Sequence, residues 1–385
     1  MNKCYLRSVP SCFRVNRSLL GDFLEETLQF LKSEIGEFNV VVMPDFFLDR
    51  LISLNYNVED FSEILRNVAK RKGGSIDEIA QTELRGGNAI NTASALAALG
   101  IKATPIVCTS KLGLQLIKYY LKSWVVNFSH VKIFEKLSIT TAMEFTTENG
   151  KVNIMLRDVG ALANFGPHNL NVDDFEAIKN ADYVCVFNWA GTRRFGTELA
   201  KTVFHHVKTS GKGKTYYDTA DPTSNKEKIP ELVKNVLQGK HVDILSVNEN
   251  EAVCYASQLS SKIEKLRERL RFEQLAKESA RILASHLSAR VDLHTTGFSA
   301  TYTKKGETVV PAFKVPGLRA TGAGDAWNAG NILGDAYGLS DGSRLVLANA
   351  VAACYISNPS GVHPTRKQLI KFCERQKRKN TLQHL

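Results

Sequence analysis

Residues 319–330 read Arg-Ala-Thr-Gly-Ala-Gly-Asp-Ala-Trp-Asn-Ala-Gly, a glycine-rich turn that leads into a predicted helix. The preceding residues 309–315, VVPAFKV, predict a strand, so the turn joins a strand to a helix. The consecutive small residues Gly322, Ala323 and Gly324 let backbone N–H groups converge at the helix N-terminus. Converging donors and the positive end of a helix dipole together predict a site for an anion or for developing phosphoryl charge.

Asp325 follows this turn directly, although its carboxylate would repel an anion bound there. The repulsion makes sense if Asp325 must accept a proton from a hydroxyl that attacks a phosphate beside it. Asp is also a common capping residue at the start of a helix. The segment alone leaves both interpretations open.

A second glycine-rich segment, residues 86–93, reads Gly-Gly-Asn-Ala-Ile-Asn-Thr-Ala. Its glycines, Gly87 among them, permit a close approach of the backbone to a ligand. Asn88 and Asn91 are three residues apart and share one helix face. Because amides both donate and accept hydrogen bonds, the pair suits sugar hydroxyls. The alternative is a glycine turn followed by an Asn cap.

Two further places carry polar side chains near the ends of predicted strands. Asn248 and Glu251 follow the strand at 242–247 and stand one helical turn apart, so their oxygens could hold a hydrated Mg²⁺ and its phosphates. The other interpretation is the solvated start of an acidic helix. Asp49, shortly after the apolar run at 39–43, could accept hydrogen bonds from sugar hydroxyls or could simply lie in a turn.

Strands and helices alternate along most of the chain. The predicted strands are 39–43, 103–109, 183–187, 214–218, 242–247, 292–296, 300–303 and 309–315, and the predicted helices are 91–99, 198–209, 261–287, 324–336 and 344–355. This alternation predicts an α/β fold, a doubly wound and mostly parallel sheet with helices on both faces. Ligands of such sheets bind at the carboxyl ends of the strands.

Residues 138–157 depart from this alternation. Apolar and polar residues alternate there on either side of Asn149-Gly150, a dipeptide typical of a two-residue hairpin turn. We expect this hairpin to project from the sheet as part of a small β-lid.

The composition narrows the class of protein. The net charge is +11, but the basic excess near the C-terminus has no aromatic residues interleaved, so we expect no nucleic-acid partner. Seven cysteines are scattered without the spacing of metal fingers or redox motifs, which indicates reduced thiols. No run of about eighteen apolar residues and no signal-peptide stretch occurs, so we expect no membrane partner and a cytoplasmic enzyme.

Together and in this order, the segments resemble the ribokinase-like (PfkB-type) carbohydrate kinases, from about Val40 to about Ile370. The resemblance implies an ATP-dependent phosphotransferase that moves the γ-phosphoryl group to a hydroxyl of a sugar or related small polyol. It also implies an N-terminal extension at 1–37 and a kinase domain at 38–385, with lid segments near 49–60 and 138–157.

The resemblance further implies a role for each site residue. Asp325 would be the general base, and the amides of Gly322, Ala323 and Gly324 would form the anion hole. Asn248 and Glu251 would organise Mg²⁺. The implied sugar contacts are Asp49, Gly87, Asn88 and Asn91, and the implied ATP contacts are the turn Thr296-Gly297 and Asn349, near the adenine.

Three departures from the family pattern stand out. Arg319-Ala320-Thr321 replaces the usual Asp-Thr before the turn, which puts activation by a monovalent cation such as K⁺ in doubt. Lys111-Leu112-Gly113 replaces a usual Gly-Asp, which removes an acidic contact near the substrate. The segment 52–85 is longer than usual and could enlarge the lid or build an oligomer contact.

Other functions stay open at this stage. A nucleoside kinase shares these motifs, and a non-catalytic sensor of sugars or nucleotides could use the same fold. A dehydrogenase does not fit, because the glycine turn lies late and no G-x-G-x-x-G follows the first strand. An exposed edge of the β-lid often invites a second copy, so a homodimer through the lid is one expectation.

Overall fold

The structure is a computed structural model that describes residues 17–122, 126–148, 150–318 and 321–382. The strands are β1 Asn39–Met43, β2 Phe47–Ser53, β3 Ala80–Gly86, β4 Lys102–Pro105, β5 Cys108–Ser110, β6 Lys132–Phe134, β7 Ser138–Thr147, β8 Gly150–Asp158, β9 Tyr183–Phe187, β10 Lys214–Asp218, β11 Ile244–Val247, β12 Arg290–His294, β13 Phe298–Thr303 and β14 Gly306–Pro311. The α-helices are α1 Arg17–Lys32, α2 Val58–Lys70, α3 Asn88–Ala98, α4 Lys111–Tyr120, α5 Val172–Lys179, α6 Gly196–Ser210, α7 Ile229–Leu232, α8 Glu249–Leu259, α9 Lys262–Arg267, α10 Phe272–His286, α11 Ala323–Ala336, α12 Asp341–Ile356 and α13 Arg366–Leu382.

An eight-stranded sheet forms the body, in the order β14-β13-β12-β11-β10-β9-β1-β4. The strands from β12 to β4 run parallel, while β13 and β14 add antiparallel pairs at one edge. Parallel strands that are covered on both faces read as continuous apolar runs, and β1 and β9 are such runs. The predicted doubly wound α/β fold is confirmed.

Alternate residues of β1 enter two different cores. Val41 and Met43 lie in a cluster with side chains of α6, α8 and α10, whereas Val40 and Val42 lie in a cluster with side chains of α3, α11 and α12. Helices therefore cover both faces of the sheet. Within the N-terminal extension expected at 1–37 lies helix α1, which packs against α12 and α13 through apolar residues such as Leu24 and Leu31. Residues 1–16 lie outside the described part of the chain.

A separate four-stranded sheet, β3-β2-β7-β8, forms the lid. The hairpin predicted at 138–157 is confirmed as the antiparallel pair β7–β8, although Asn149 lies outside the described residues. The long segment 52–85 contributes the end of β2, helix α2 and strand β3 to this part of the structure. Helix α2 packs on this sheet, where the rings of Phe61 and Phe145 are 5.8 Å apart.

Three predicted elements differ from the structure. The single helix predicted at 261–287 is wrong: α9 ends at Arg267 and α10 starts at Phe272. The side chain of Gln274 accepts the backbone N–H of Arg271 at 3.3 Å and so caps a new helix. The strand predicted at 103–109 is two strands, since β4 pairs with β1 and β5 pairs with β6. The last predicted strand lies at Gly306–Pro311, where it pairs with β13.

Among the described helices, none is both long enough and apolar enough to cross a membrane.

Candidate active site

A cavity of about 330 Å³ lies between the lid and the carboxyl ends of the strands. Six of the predicted site residues line it together: Asp49, Gly87, Asn88, Asn91, Gly322 and Asp325. They come from β2, from the start of α3 and from the start of α11, elements that are far apart in the sequence. The fold thus brings the two glycine-rich segments face to face.

The carboxylate of Asp325 is held by two amides from α3. Asn88 donates from Nδ2 to Oδ1 at 2.8 Å, and Asn91 donates from Nδ2 to Oδ2 at 3.0 Å. Helix α11 starts after Gly322 and has no side-chain cap, so Asp325 does not act as the capping residue. Its side chain is instead turned toward α3 and the cavity.

The burial of Asp325 changes its acidity. The residue is 5% exposed, and burial raises the pKa of its carboxyl group to about 8. Asn91 and Asn88 oppose this rise by donating hydrogen bonds to the anion, whereas the carboxylates of Asp218 and Asp45 increase it. A carboxyl group with a pKa near neutrality is matched to proton transfer at physiological pH.

The turn before α11 requires glycine at one position in particular. Gly322 has a φ of +84°, in the left-handed region, and a Cβ there would lie 2.8 Å from Oη of Tyr355. The N–H groups of the first turn of an α-helix, here from Ala323 onward, have no acceptor within the helix. Free N–H groups at a helix N-terminus can bind an anion.

Gly87 starts α3 in a similar way. Its φ is +89°, and a Cβ at this residue would lie 2.8 Å from the Cα atom of Phe46. The close approach of these two backbone segments lets α3 begin beside the end of β1. Because Gly87 is the N-cap, Asn88 is free of the capping role, and its side chain reaches Asp325.

Asp49 projects from the lid into the cavity. Burial raises its pKa to about 6, against a hydrogen bond from Thr140 and the positive charge of Arg157. A Cβ on Gly86 of the neighbouring strand would lie 2.3 Å from the Asp49 carboxyl group, so the glycine makes room for it. The guanidinium of Arg157 also lines the cavity and lies 5.4 Å from the ring centre of Phe47.

Asn248 and Glu251 bind each other instead of lining the cavity. Asn248 caps α8, and it donates to Glu251 from its backbone N–H at 3.0 Å and from Nδ2 at 2.8 Å. Burial raises the pKa of Glu251 well above its ordinary value, and the charge of Asp218 adds to the rise.

These contacts test the fit to Mg²⁺. Each carboxylate oxygen of Glu251 accepts one hydrogen bond from Asn248 and keeps a second lone pair, which fits a hydrogen bond from the water shell of a hydrated ion. Over the described ranges, no three His, Cys, Asp or Glu side chains cluster closely enough to hold a metal ion.

The residues predicted to bind the nucleotide lie apart from this cavity. Thr296 and Gly297 form the exposed turn between β12 and β13. Asn349 is 5% exposed, and its Oδ1 accepts hydrogen bonds from Ser299 at 2.6 Å and from Trp327 at 3.0 Å. Its amide therefore ties α12 to β13 and α11, and a contact with adenine stays a prediction. Arg319 lies outside the described residues.

Comparison with known proteins identifies the family. The model of the pfkB family of carbohydrate kinases matches residues 53–368, most of the chain. The chain belongs to this family. No curated protein sequence matches the chain.

Solved structures share the fold of this pfkB family member at low sequence identity. Ribokinase from Arabidopsis thaliana, complexed with ribose and ATP, is 19% identical over 88% of this chain and 99% of its own, with a TM-score of 0.64. Ribokinase from Cryptococcus neoformans var. grubii serotype A, in complex with ADP, is 17% identical over 88% of this chain and 100% of its own, with a TM-score of 0.65. The nucleoside kinase of Methanocaldococcus jannaschii is 16% identical over 88% of this chain and 100% of its own, with a TM-score of 0.61. The predicted family and ribokinase-like fold are confirmed.

Sequence reasoning missed three polar residues at this site of the pfkB kinase. Asp45, Asn188 and Asp218 lie at or just beyond the carboxyl ends of β1, β9 and β10, and all three are buried. Asp218 accepts a hydrogen bond from Asn328 at 2.7 Å. The signal that could have found them is a polar residue directly at the end of an apolar parallel strand.

Proposed function

We propose that the chain transfers the γ-phosphoryl group of ATP to a hydroxyl of a sugar or related small polyol. One observation carries the proposal: the carboxylate of Asp325 is fixed by Asn88 and Asn91 at the start of α11, in a cavity that the lid lines on its other side. A carboxylate beside a helix N-terminus pairs a proton acceptor with donors for phosphoryl charge.

The acceptor hydroxyl would lie between the lid and α3. Oδ1 of Asn91 is buried and has no hydrogen-bond partner within the described structure, which suits a hydroxyl that donates to it. Asp49 supplies a carboxylate from the lid side of the same cavity. In this arrangement Asp325 removes the proton, and the oxygen attacks the γ-phosphorus while the amides at Gly322, Ala323 and Gly324 stabilise the transferred group.

ATP would extend from this turn toward the other predicted residues. Thr296, Gly297 and Asn349 are assigned to the nucleotide, and Asn248 with Glu251 to the water shell of Mg²⁺. When bound, Mg²⁺ would neutralise part of the triphosphate charge. The sheet order supports the assignment, because β11, which precedes Asn248, is the neighbour of β12, which precedes Thr296.

A nucleoside is the second candidate acceptor. The lid side of the cavity carries the apolar side chains Phe47, Leu51, Ala142 and Met155 beside charged and polar ones, among them Asp49, Arg50 and Arg157. A free sugar presents hydroxyls in most directions, but a nucleoside joins a polar ribose to a flat base. The four apolar side chains of the lid are the feature that favours this candidate.

The test is a screen for ADP release with purified protein, ATP and Mg²⁺ against a panel of sugars, polyols, sugar acids and nucleosides. We expect acceptor-dependent ADP release with at least one compound class and its loss in Asp325→Asn. Tight binding of a sugar or nucleoside without ADP release would instead support the non-catalytic sensor. If no compound of the panel increased ADP release above the rate without an acceptor, the proposed phosphoryl transfer would be refuted.

Two accompanying assignments stay predictions. A homodimer through the lid would use β8, an edge strand with the exposed apolar side chains Val152, Ile154 and Leu156. Light scattering of wild type and Ile154→Lys would test it, and two equal monomer masses would contradict it. Activity in KCl against NaCl would test the doubted activation by K⁺.

A further inference from the structure

We propose that Asp45 is a positioning residue for the base Asp325: it fixes the start of α3, and α3 holds the base through Asn88 and Asn91. This inference rests on the proposed function only for the role of Asp325 as base. Asp45 is fully buried and does not line the cavity, so it acts through other groups.

Three donors converge on the Asp45 carboxylate. The backbone N–H of Asn88 donates to Oδ2 at 2.9 Å, and that of Ala89 donates to Oδ1 at 2.9 Å. The side chain of Asn188 donates from Nδ2 to Oδ2 at 2.7 Å. Every contact requires an acceptor at position 45, which a carboxylate offers on both of its oxygens.

The contacts with Asn88 link Asp45 to the base directly. Asn88 binds Asp45 through its backbone and Asp325 through its side chain, so this single residue bridges the two carboxylates. Asn91 lies one turn further along the same helix and holds the second oxygen of Asp325. A shift of the first turn of α3 would therefore move both amides relative to the base.

Asn188 anchors Asp45 from the other side. Its φ is +49°, an uncommon conformation that Asn tolerates better than most residues. Its Oδ1 accepts the N–H of Gly191 at 3.0 Å, and its own N–H donates to the carbonyl of Asp218 at 3.0 Å. Asp45 is thus tied to the sheet edge as well as to α3.

If Asp45 acted on Asp325 only through its charge, replacing Asp45 with a neutral residue would lower the pKa of Asp325. If Asp45 acts by positioning the amides, the same replacement would raise it. The negative charge of Asp45 raises the pKa of Asp325, whereas the amides of Asn91 and Asn88 lower it. The titratable and charged groups that share the surroundings of these two carboxylates are Asp49 and Arg157 from the lid, Cys108 from β5 and Asp218 from β10. Loss of the charge alone would lower the pKa of Asp325, but release of the amides would raise it.

The first experiment titrates Asp325 by carboxyl ¹³C NMR in the full chain without substrate, with Asp325→Asn assigning the signal. In Asp45→Asn we expect the pKa of Asp325 to rise, because Asn88 and Asn91 stabilise its anion by direct hydrogen bonds at 2.8 and 3.0 Å, whereas the charge of Asp45 acts without a direct contact. An unchanged or lowered pKa overturns the proposal. Asn188→Gly, which keeps the left-handed backbone and removes one donor, should give a smaller rise, and it decides the question if Asp45→Asn does not fold.

The matched control is Asp174→Asn. Asp174 is also a fully buried carboxylate at a helix start, where it accepts the N–H of Asn171 at 2.8 Å and contacts His130, but it lies at α5, away from the cavity. This variant should lose stability without any change in the pKa of Asp325. A similar change in the control would mean that general loosening, not positioning, produces the effect.

The second experiment measures turnover. Asp45→Asn should lower kcat by about ten- to a hundredfold, as small misplacements of a catalytic group do, with the KM for ATP unchanged. In an Asp325→Asn background the same substitution should cause no further loss, because its effect passes through the base. Additive losses would overturn the proposal. Absence of turnover in the wild type would contradict the proposed function, while the titration would still decide the role of Asp45.

Discussion

Replacing Asp325 with Asn should separate the catalytic need for this residue from its cost to the fold. The substitution removes the proposed base but keeps the shape of the side chain. We expect turnover to fall by about two to four orders of magnitude, the usual contribution of general base catalysis. We also expect ATP binding to persist, since the change leaves the backbone of the turn in place.

The same substitution should stabilise the protein above acidic pH. The folded-state pKa of Asp325, about 8, exceeds its ordinary value of 3.8, so the folded protein binds a proton that the unfolded chain has released. Between these values the free energy of unfolding therefore falls with rising pH by roughly 1.4 kcal/mol per unit on account of this group. By pH 7, about three units above the ordinary value, the accumulated cost is about 4 kcal/mol. Asn carries no such cost.

The packing around residue 325 should accommodate the amide. The side-chain oxygen of the new Asn can still accept a hydrogen bond from Asn88. Its NH₂ group can donate a hydrogen bond to Oδ1 of Asn91 if the amide of Asn91 rotates by half a turn. Oδ1 of Asn91 has no partner within the described structure, so this rotation sacrifices no existing acceptor contact. The substitution therefore leaves few buried groups unsatisfied.

Urea unfolding at pH 5, 6, 7 and 8 measures the effect. The difference in unfolding free energy between Asp325→Asn and wild type should grow in favour of the variant with each unit. The pH profile of kcat/KM should agree, with wild-type activity falling as the pH drops below about 8 because the base becomes protonated. Parallel stability curves, together with an activity profile that is flat from pH 6 to 9, would refute both the raised pKa and the role as base.

Other substitutions test separate parts of the site. Asp49→Asn should raise the KM for the acceptor more than it lowers kcat, because the residue contacts the cavity from the lid; equal KM values would contradict this, and steady-state kinetics decides. Gly322→Ala should lower kcat by about a hundredfold or more, because φ is +84° and the new Cβ would lie 2.8 Å from Oη of Tyr355; unimpaired turnover would exclude an anion hole there. Glu251→Gln should raise the Mg²⁺ concentration needed for half-maximal rate, measured by Mg²⁺ titration at saturating ATP, while an unchanged midpoint would remove Glu251 from the metal site.

Much of the fold could be predicted from the sequence because the sheet is buried on both faces. The run at 183–187 is a strand with those bounds, since buried parallel strands contain few polar residues. The break within 261–287 escaped prediction. Residues 268–271 have no glycine or proline, and the turn there depends on a cap made by Gln274 and on Leu270, which packs against the core.

The two glycine-rich segments of the site could be predicted from the sequence because their need for glycine is local. Their glycines are required by backbone geometry within a few residues, as at Gly87 and Gly322, so the requirement is visible in the sequence. Asp45 and Asn188 are single polar residues after strands, and 143 positions separate them. They meet only because β1 and β9 are neighbours in the sheet, which no local pattern reveals.

In the proposed site, the N-terminus of one helix holds the base and the N-terminus of another is left to bind the anion. The side-chain amides of helix α3 donate hydrogen bonds to the carboxylate of Asp325, and the first backbone N–H groups of this helix donate to Asp45. Helix α11 begins without a side-chain cap, so its N–H groups remain for an anion. A carboxylate and an anion site can coexist here because different helices supply their donors. Since both helices belong to the body, movement of the lid would alter the contacts of the acceptor while leaving the geometry between base and anion site unchanged.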